Sequence, residues 1–249
     1  MNSLLLWFHR TASPPIFNQF ATRWAPWCFF IALIGFGIGI DGALRWMPTD
    51  YKQGESFRIL YIHVPAAWSA LFIYVAMSVQ AFIALVWRIK ICEILAMACA
   101  PIGALFAAIT LITGAIWGKP TWGTWWEWDP RLTSMLVMFF IYLCIIGLYQ
   151  AIEDRRAAAR AACFLVIIGL VNVPIVHFSV NWWNSLHQGE TIRIFGESKL
   201  HASMLWPLIL TTIASKFWFV GSLLQRARLL NLQNESQQSW VEKLLGQKQ

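Results

Sequence analysis

Six runs of about twenty mostly apolar residues recur along the chain, at 25–44, 64–87, 94–116, 132–151, 161–181 and 201–224. A helix of about 20 residues crosses the roughly 30 Å of hydrocarbon in a bilayer. Within lipid every backbone polar group must be satisfied internally, so only helices and closed barrels span it. No strand-length alternation of apolar and polar residues competes with these runs, which argues against a barrel. The expected fold is an all-α integral membrane protein of six transmembrane helices. Composition excludes the alternatives. Hydrophobic residues make up 58% and charged residues 12% of the 249, against about 45–50% and 25% in a soluble domain. A soluble or disordered chain has no place for that apolar surface. The net charge of +7 lies between the apolar runs rather than in a stripe, so it speaks for membrane orientation and against nucleic acid.

Orientation follows from Lys and Arg in the connections. Eleven lie on one side: Arg10, Arg23, Arg88, Lys90, Arg155, Arg156, Arg160, Arg226, Arg228, Lys243 and Lys248. The odd loops hold seven, Arg45, Lys52, Arg58, Lys119, Arg131, Arg193 and Lys199, matched by seven Asp and Glu. Both termini are therefore expected in the cytoplasm. Lys216, inside the sixth run, is expected to snorkel to that side. Residues 1–23 lack a signal-peptide cleavage site. They are read as an inner-surface segment with Trp7, Phe8, Phe17 and Phe20 on lipid, and 225–249 as a cytoplasmic tail.

The spans carry no buried acid or Arg of the kind ion-coupled transporters use, and no P-loop occurs, so the chain is read as neither an enzyme nor an ATPase. Asn172 and Pro174 interrupt the fifth run, as at a local kink; satisfaction by neighbouring helices is the reading preferred. Cys28, Cys92, Cys99, Cys144 and Cys163 fall in spans or the inner loop and read as small buried hydrophobes. No C-x-x-C-H occurs, so thioether attachment of haem is not expected.

The third connection, 117–131, reads W-G-K-P-T-W-G-T-W-W-E-W-D-P-R. Trp24, Trp27, Trp46, Trp87 and Trp218 suit the ordinary aromatic belt. Trp117, Trp122, Trp125, Trp126 and Trp128, five on one short connector, exceed it. At about 150–250 Å² each, they call for a flat apolar cover: lipid, a partner or a planar ligand. Gly118, Pro120 and Gly123 are expected to fix turns that hold the rings as a platform. Asp129-Pro130 reads as cap and first position of the fourth helix. Arg131 and Lys119 either snorkel or pair with an anionic edge of a ligand.

Of five His, four map to this same side. His63, in Y-I-H-V-P, and His187, in W-W-N-S-L-H-Q-G, sit at loop edges flanking the tryptophans. His177 and His201 are read as helix-borne. Neutral imidazole is a good ligand for haem iron, and two from opposite sides make a bis-His site. The fourteen-residue separation of His187 and His201 could also align a pair, but Gly189, Glu190, Arg193, Gly196, Glu197 and Lys199 between them exclude one spanning helix.

Those residues together resemble a known family, the cytochrome c maturation protein C or heme exporter protein C family. It belongs to the haem-handling proteins named for a tryptophan-rich W-W-D segment. The resemblance covers nearly the whole chain: six spans, W-G-T-W-W-E-W-D-P-R-L-T-S before the fourth, and a His in each flanking outer loop. It implies His63 and His187 as axial ligands of haem b, with Trp117, Trp122, Trp125, Trp126, Trp128 and Asp129 in contact with the macrocycle. The implied role is assembly of c-type cytochromes at the outer face of a bacterial inner membrane. Haem is presented there to the chaperone cytochrome c maturation protein E, in complex with ABC transporter subunits A and B and the small membrane protein D. Two rivals are an electron-transferring b-type cytochrome, which needs haem near mid-membrane, and a permease subunit, which needs a polar path through the spans.

Overall fold

The computed structural model describes residues 13–183, 185, 187, 200–244 and 246. The helices are α1 (Pro14–Asp41), α2 (Leu60–Trp87), α3 (Lys90–Trp122), α4 (Pro130–Ala151), α5 (Arg155–Gly169), α6 (Asn172–Trp182), α7 (Ala202–Asn234) and the short α8 (Ser239–Leu244). A π-helical turn, Gly42–Trp46, extends α1, and a 3-10 turn, Glu55–Ile59, leads into α2. Six stretches are long and apolar enough to cross a membrane, with α5 and α6 forming the fifth together. No strand occurs among the described residues.

Where helices meet in lipid, close packing and interhelical hydrogen bonds replace the hydrophobic drive available in water. The interior accordingly uses small residues. Ala66, Ala70, Ala81 and Ala84 of α2 and Ala96, Ala100, Ala104 and Ala107 of α3 are buried. On α1, Gly35 and Gly39 lie one turn apart on the face toward α7. A Cβ would stand 2.9 Å from Ala214 Cβ at the first and 2.7 Å from Thr211 Cγ2 at the second, so the two backbones approach as only glycine permits. Across the bundle, Tyr142 donates to the Ala70 carbonyl at 2.7 Å, tying α4 to α2.

The fifth span breaks at Leu170–Val171, and the break has a local cause. Pro174 has no N–H for the Leu170 carbonyl; Val173 N–H bonds it instead at 3.1 Å, in a tighter turn. Leu170 N–H turns to Ile167 O, and the Val166 carbonyl it leaves accepts from Tyr74 Oη at 3.1 Å. Asn172 Nδ2 donates to Ser134 O at 3.0 Å. Kink and neighbouring helices thus both operate here.

Four expectations need correction. Helix α1 begins at Pro14, so residues 14–23 continue the first span, and Phe17 is buried in the bundle while Phe20 is exposed; Trp7 and Phe8 lie outside the described residues. Lys216 does not snorkel: Nζ donates to Ser69 Oγ at 3.0 Å and stands 4.9 Å from the Phe72 ring centre, between α2 and α7. Cys144 is exposed on the bundle surface rather than buried. The segment from Trp117 to Trp122 is the last part of α3, not loop. Gly118 and Pro120 sit inside that helix, and only Gly123, at φ +82°, ends it. The five tryptophans assigned to a belt are exposed, as a belt requires.

Candidate functional site

At one end of the bundle, four pieces of chain converge: the first turns of α2, the last turns of α3, the cap of α4, and the segment after α6. On α3, Thr110, Thr113, Gly114 and Trp117 recur at helical spacing, which puts them on one face. His63, one turn into α2, points at that face. Its Nδ1 lies 3.0 Å from Thr113 Oγ1. The Thr113 hydroxyl proton is committed to the Ile109 carbonyl at 2.6 Å, so its oxygen accepts and the imidazole donates. That assigns the proton to Nδ1 and places the lone pair on Nε2. Gly114 makes room for the ring: a Cβ there would stand 3.1 Å from His63 Cε1. Trp117 meets the imidazole edge-on, centroids 5.6 Å apart at 75°. The indole N–H of Trp117 is fixed by Gln53 Oε1 at 2.8 Å, from a first loop held by Arg58, which pairs with Glu55 and donates to the Ala43 and Met47 carbonyls.

His187 is held by Asp129, whose carboxylate has two tasks. Oδ1 caps α4 by accepting Arg131 N–H at 2.8 Å, and the same oxygen lies 3.0 Å from His187 Nδ1. Oδ2 accepts from the Ser185 hydroxyl, whose oxygen in turn accepts His187 N–H at 3.1 Å. Burial pushes the His187 imidazole below the usual histidine range, helped by the Arg131 charge and opposed by Asp129. The shift favours the neutral ring, whose contact with Asp129 is a donated N–H. Here too Nδ1 carries the proton and the lone pair is on Nε2, the arrangement in which a carboxylate orients a metal-binding imidazole. Trp122 packs edge-on against this ring, centroids 5.0 Å apart at 66°. His63, His187 and Arg131 lie within electrostatic reach of one another.

The tryptophans are not one flat platform. Trp117 and Trp122 belong to α3 and each steadies one imidazole. Trp125 and Trp128 are 57% and 75% exposed and form an open shelf. Trp126 is half-buried, set edge-on to Trp128 at 5.6 Å, and its buried Nε1 has no hydrogen-bond partner among the described residues. Residues outside the expected set join the site: Thr113, Gly114, Gln53 and Ser185. Lys119 turns out to close the end of α3, donating to Gly123 O at 2.9 Å. His201 caps α7 by accepting Ser203 N–H. His177 is exposed against Phe178, and only its carbonyl touches the site, accepting from Arg131 at 3.3 Å.

The donor set suits haem: two imidazoles whose Nδ1 atoms are engaged, flat aromatic surface, and a cation for an anionic edge. Comparison with known proteins points the same way. The family model for heme exporter protein C matches residues 7–242. Heme exporter protein C of Haemophilus influenzae is 44% identical over 238 residues, 96% of this chain and 97% of that protein. Its namesake in Escherichia coli K12 is 44% identical over 237 residues, covering 95% and 96%. The Bradyrhizobium diazoefficiens protein of the same name is 44% identical over 210 residues, covering 84% and 79%. With a match this long on a bundle and site of this kind, the chain belongs to the heme exporter protein C family.

Proposed function

We propose that this protein holds haem b between His63 and His187 at the outer face of a bacterial inner membrane and hands it to the haem chaperone, cytochrome c maturation protein E. The single observation that carries the reading is the matched pair of imidazoles, each with Nδ1–H engaged and the lone pair on Nε2, one on Thr113 and one on Asp129. Trp125 and Trp128 would lie against the macrocycle, and Arg131 would face a propionate. Haem supplies the iron that the imidazoles bind and the edge to which the chaperone bonds. The protein's own task is to fix both ligands, exclude water from them and leave one edge open, and the exposed tryptophan shelf supports such a presentation. Subunits A and B of an ABC transporter and the small protein D are the proposed partners, and the transporter supplies ATP hydrolysis. The site lies at an end of the bundle rather than at mid-depth, which favours delivery over electron transfer across the membrane.

An absorption spectrum of the purified chain tests the central claim. Low-spin bis-imidazole bands are expected; a chain purified from haem-replete cells that shows no haem band refutes it. Topology has its own test. Reporter fusions after Leu148 and at the C-terminus should be active only in the cytoplasm, as the charge asymmetry requires. Activity outside would reverse the orientation.

The supporting contacts make a finer prediction. Asp129→Asn keeps an oxygen for the α4 cap but weakens the hydrogen bond that orients His187. Haem affinity should fall about 10–100-fold, as for other groups that orient a metal ligand, while the melting temperature changes little. Equal loss of folded protein would show that Asp129 serves the helix alone. Gly114→Val presses on His63 Cε1 and should shift the haem spectrum without removing either ligand; an unchanged spectrum would displace His63 from the iron.

A further inference from the structure

We infer that the opposite end of the bundle binds one acidic phospholipid, its headgroup on Arg156 and Arg226 and an acyl chain along Met97 and Pro101. A cavity of about 790 Å³ opens there between α3, α4, α5 and α7. Part of its lining is charged. Among the described residues, Lys90, Arg155, Arg156 and Arg226 line it against two carboxylates, Glu93 and Glu235, an excess of two positive charges. Lys90 is spent on Glu235, and the Arg155 guanidinium lies over the Tyr149 ring at 5.6 Å. The side chains of Arg156 and Arg226 have no hydrogen bond or close ion pair among the described residues. Glu93 faces Arg156, Arg160 and Lys90 together, and so cannot neutralise them singly.

The floor is of the other kind. Met97, Pro101, Ile145 and Ile146 line its depth. Met97 and Pro101 stand seven and eleven residues from Lys90 at the start of α3, roughly 10 and 16 Å along the helix axis at 1.5 Å per residue. The cavity therefore runs from headgroup depth into the hydrocarbon layer. Water is a poor filler for an apolar floor, since a buried water needs two to four polar partners. Free phosphate would satisfy the arginines but not the floor, and an acidic peptide would have no use for it. A phosphodiester with an acyl chain matches both, and basic pockets between spanning helices on the cytoplasmic side are where acidic lipids bind. By the positive-inside rule this end is the cytoplasmic one.

The test uses the full chain in nanodiscs of phosphatidylethanolamine with phosphatidylglycerol, or of phosphatidylcholine alone. Lipid retained after detergent stripping is counted by native mass spectrometry. The parent should keep one phosphatidylglycerol and no phosphatidylcholine. Arg156→Gln with Arg226→Gln should lower that occupancy at least about tenfold, at about a factor of several for each cation near a membrane surface. Met97→Trp, which fills the floor and leaves the charges, should also lose the lipid. Equal retention of both lipids, an unaffected double variant, or displacement of the lipid by inorganic phosphate would each overturn the inference. So would haem found in this cavity. The haem spectrum of every variant reports separately on the tryptophan end: unchanged bands show an intact fold, and a parent without haem but with bound lipid would sink the proposed function and leave this inference standing.

Discussion

His63→Ala and His187→Ala should each abolish the low-spin haem spectrum of the purified protein, and each should lower haem retention beyond the 10–100-fold expected of a group that only orients a ligand. Added imidazole restores the low-spin bands more fully in His63→Ala. There the remaining ligand keeps its carboxylate partner, whereas His187→Ala strands the Asp129 carboxylate, which is 5% exposed, without one of its donors. His177→Ala and His201→Ala should leave the spectrum as it was. His201→Ala instead removes the cap of α7, at a cost of about 1 kcal/mol of stability. The assignment is wrong if either of these two loses the bands while His63→Ala keeps them.

Removing Trp122, Trp125, Trp126 and Trp128 together should empty the site, although each alone should weaken it only modestly. An aromatic contact contributes about 0.5–1.5 kcal/mol beyond its buried area, or roughly two- to tenfold in affinity. Trp122→Ala should be the costliest single change, because that ring packs against His187 as well. Trp125→Ala and Trp128→Ala, on the open shelf, should affect transfer to the chaperone more than retention of haem. Trp→Phe is milder throughout, since a flat ring remains. Haem titration beside an assay of covalent haem on the chaperone separates the two effects. A fourfold variant that binds and delivers haem like the parent would reduce these rings to a membrane belt.

The spans were legible because an apolar run of twenty residues has few other fates, and the two histidines because imidazoles are conspicuous beside so many tryptophans. What escaped was set by contacts between distant segments. Thr113 meets His63 across 50 residues, and Asp129 meets His187 across 58. The D-P pair announced the helix cap, but nothing local announced the second use of the same carboxylate. The spacing T-x-x-x-W at Thr113 and Trp117 was a usable sign that α3 continues toward the tryptophans. It was masked by Gly118 and Pro120, ordinarily turn residues, which the helix accommodates before Gly123 ends it. Lys216 was misjudged because snorkelling assumes a free path to the interface, whereas Ser69 and Phe72 hold it within the bundle.

Since one oxygen of Asp129 both caps α4 and receives the His187 N–H, the helix and the histidine move as a single mechanical part. Helix α4 has 22 residues, about 33 Å of stiff rod at 1.5 Å per residue. His63 takes its seat from other elements, α2 and α3, and Tyr142 ties those to α4 through the Ala70 carbonyl. The spacing of the two imidazoles is thus set by how three helices pack, and the register of α4 enters it directly.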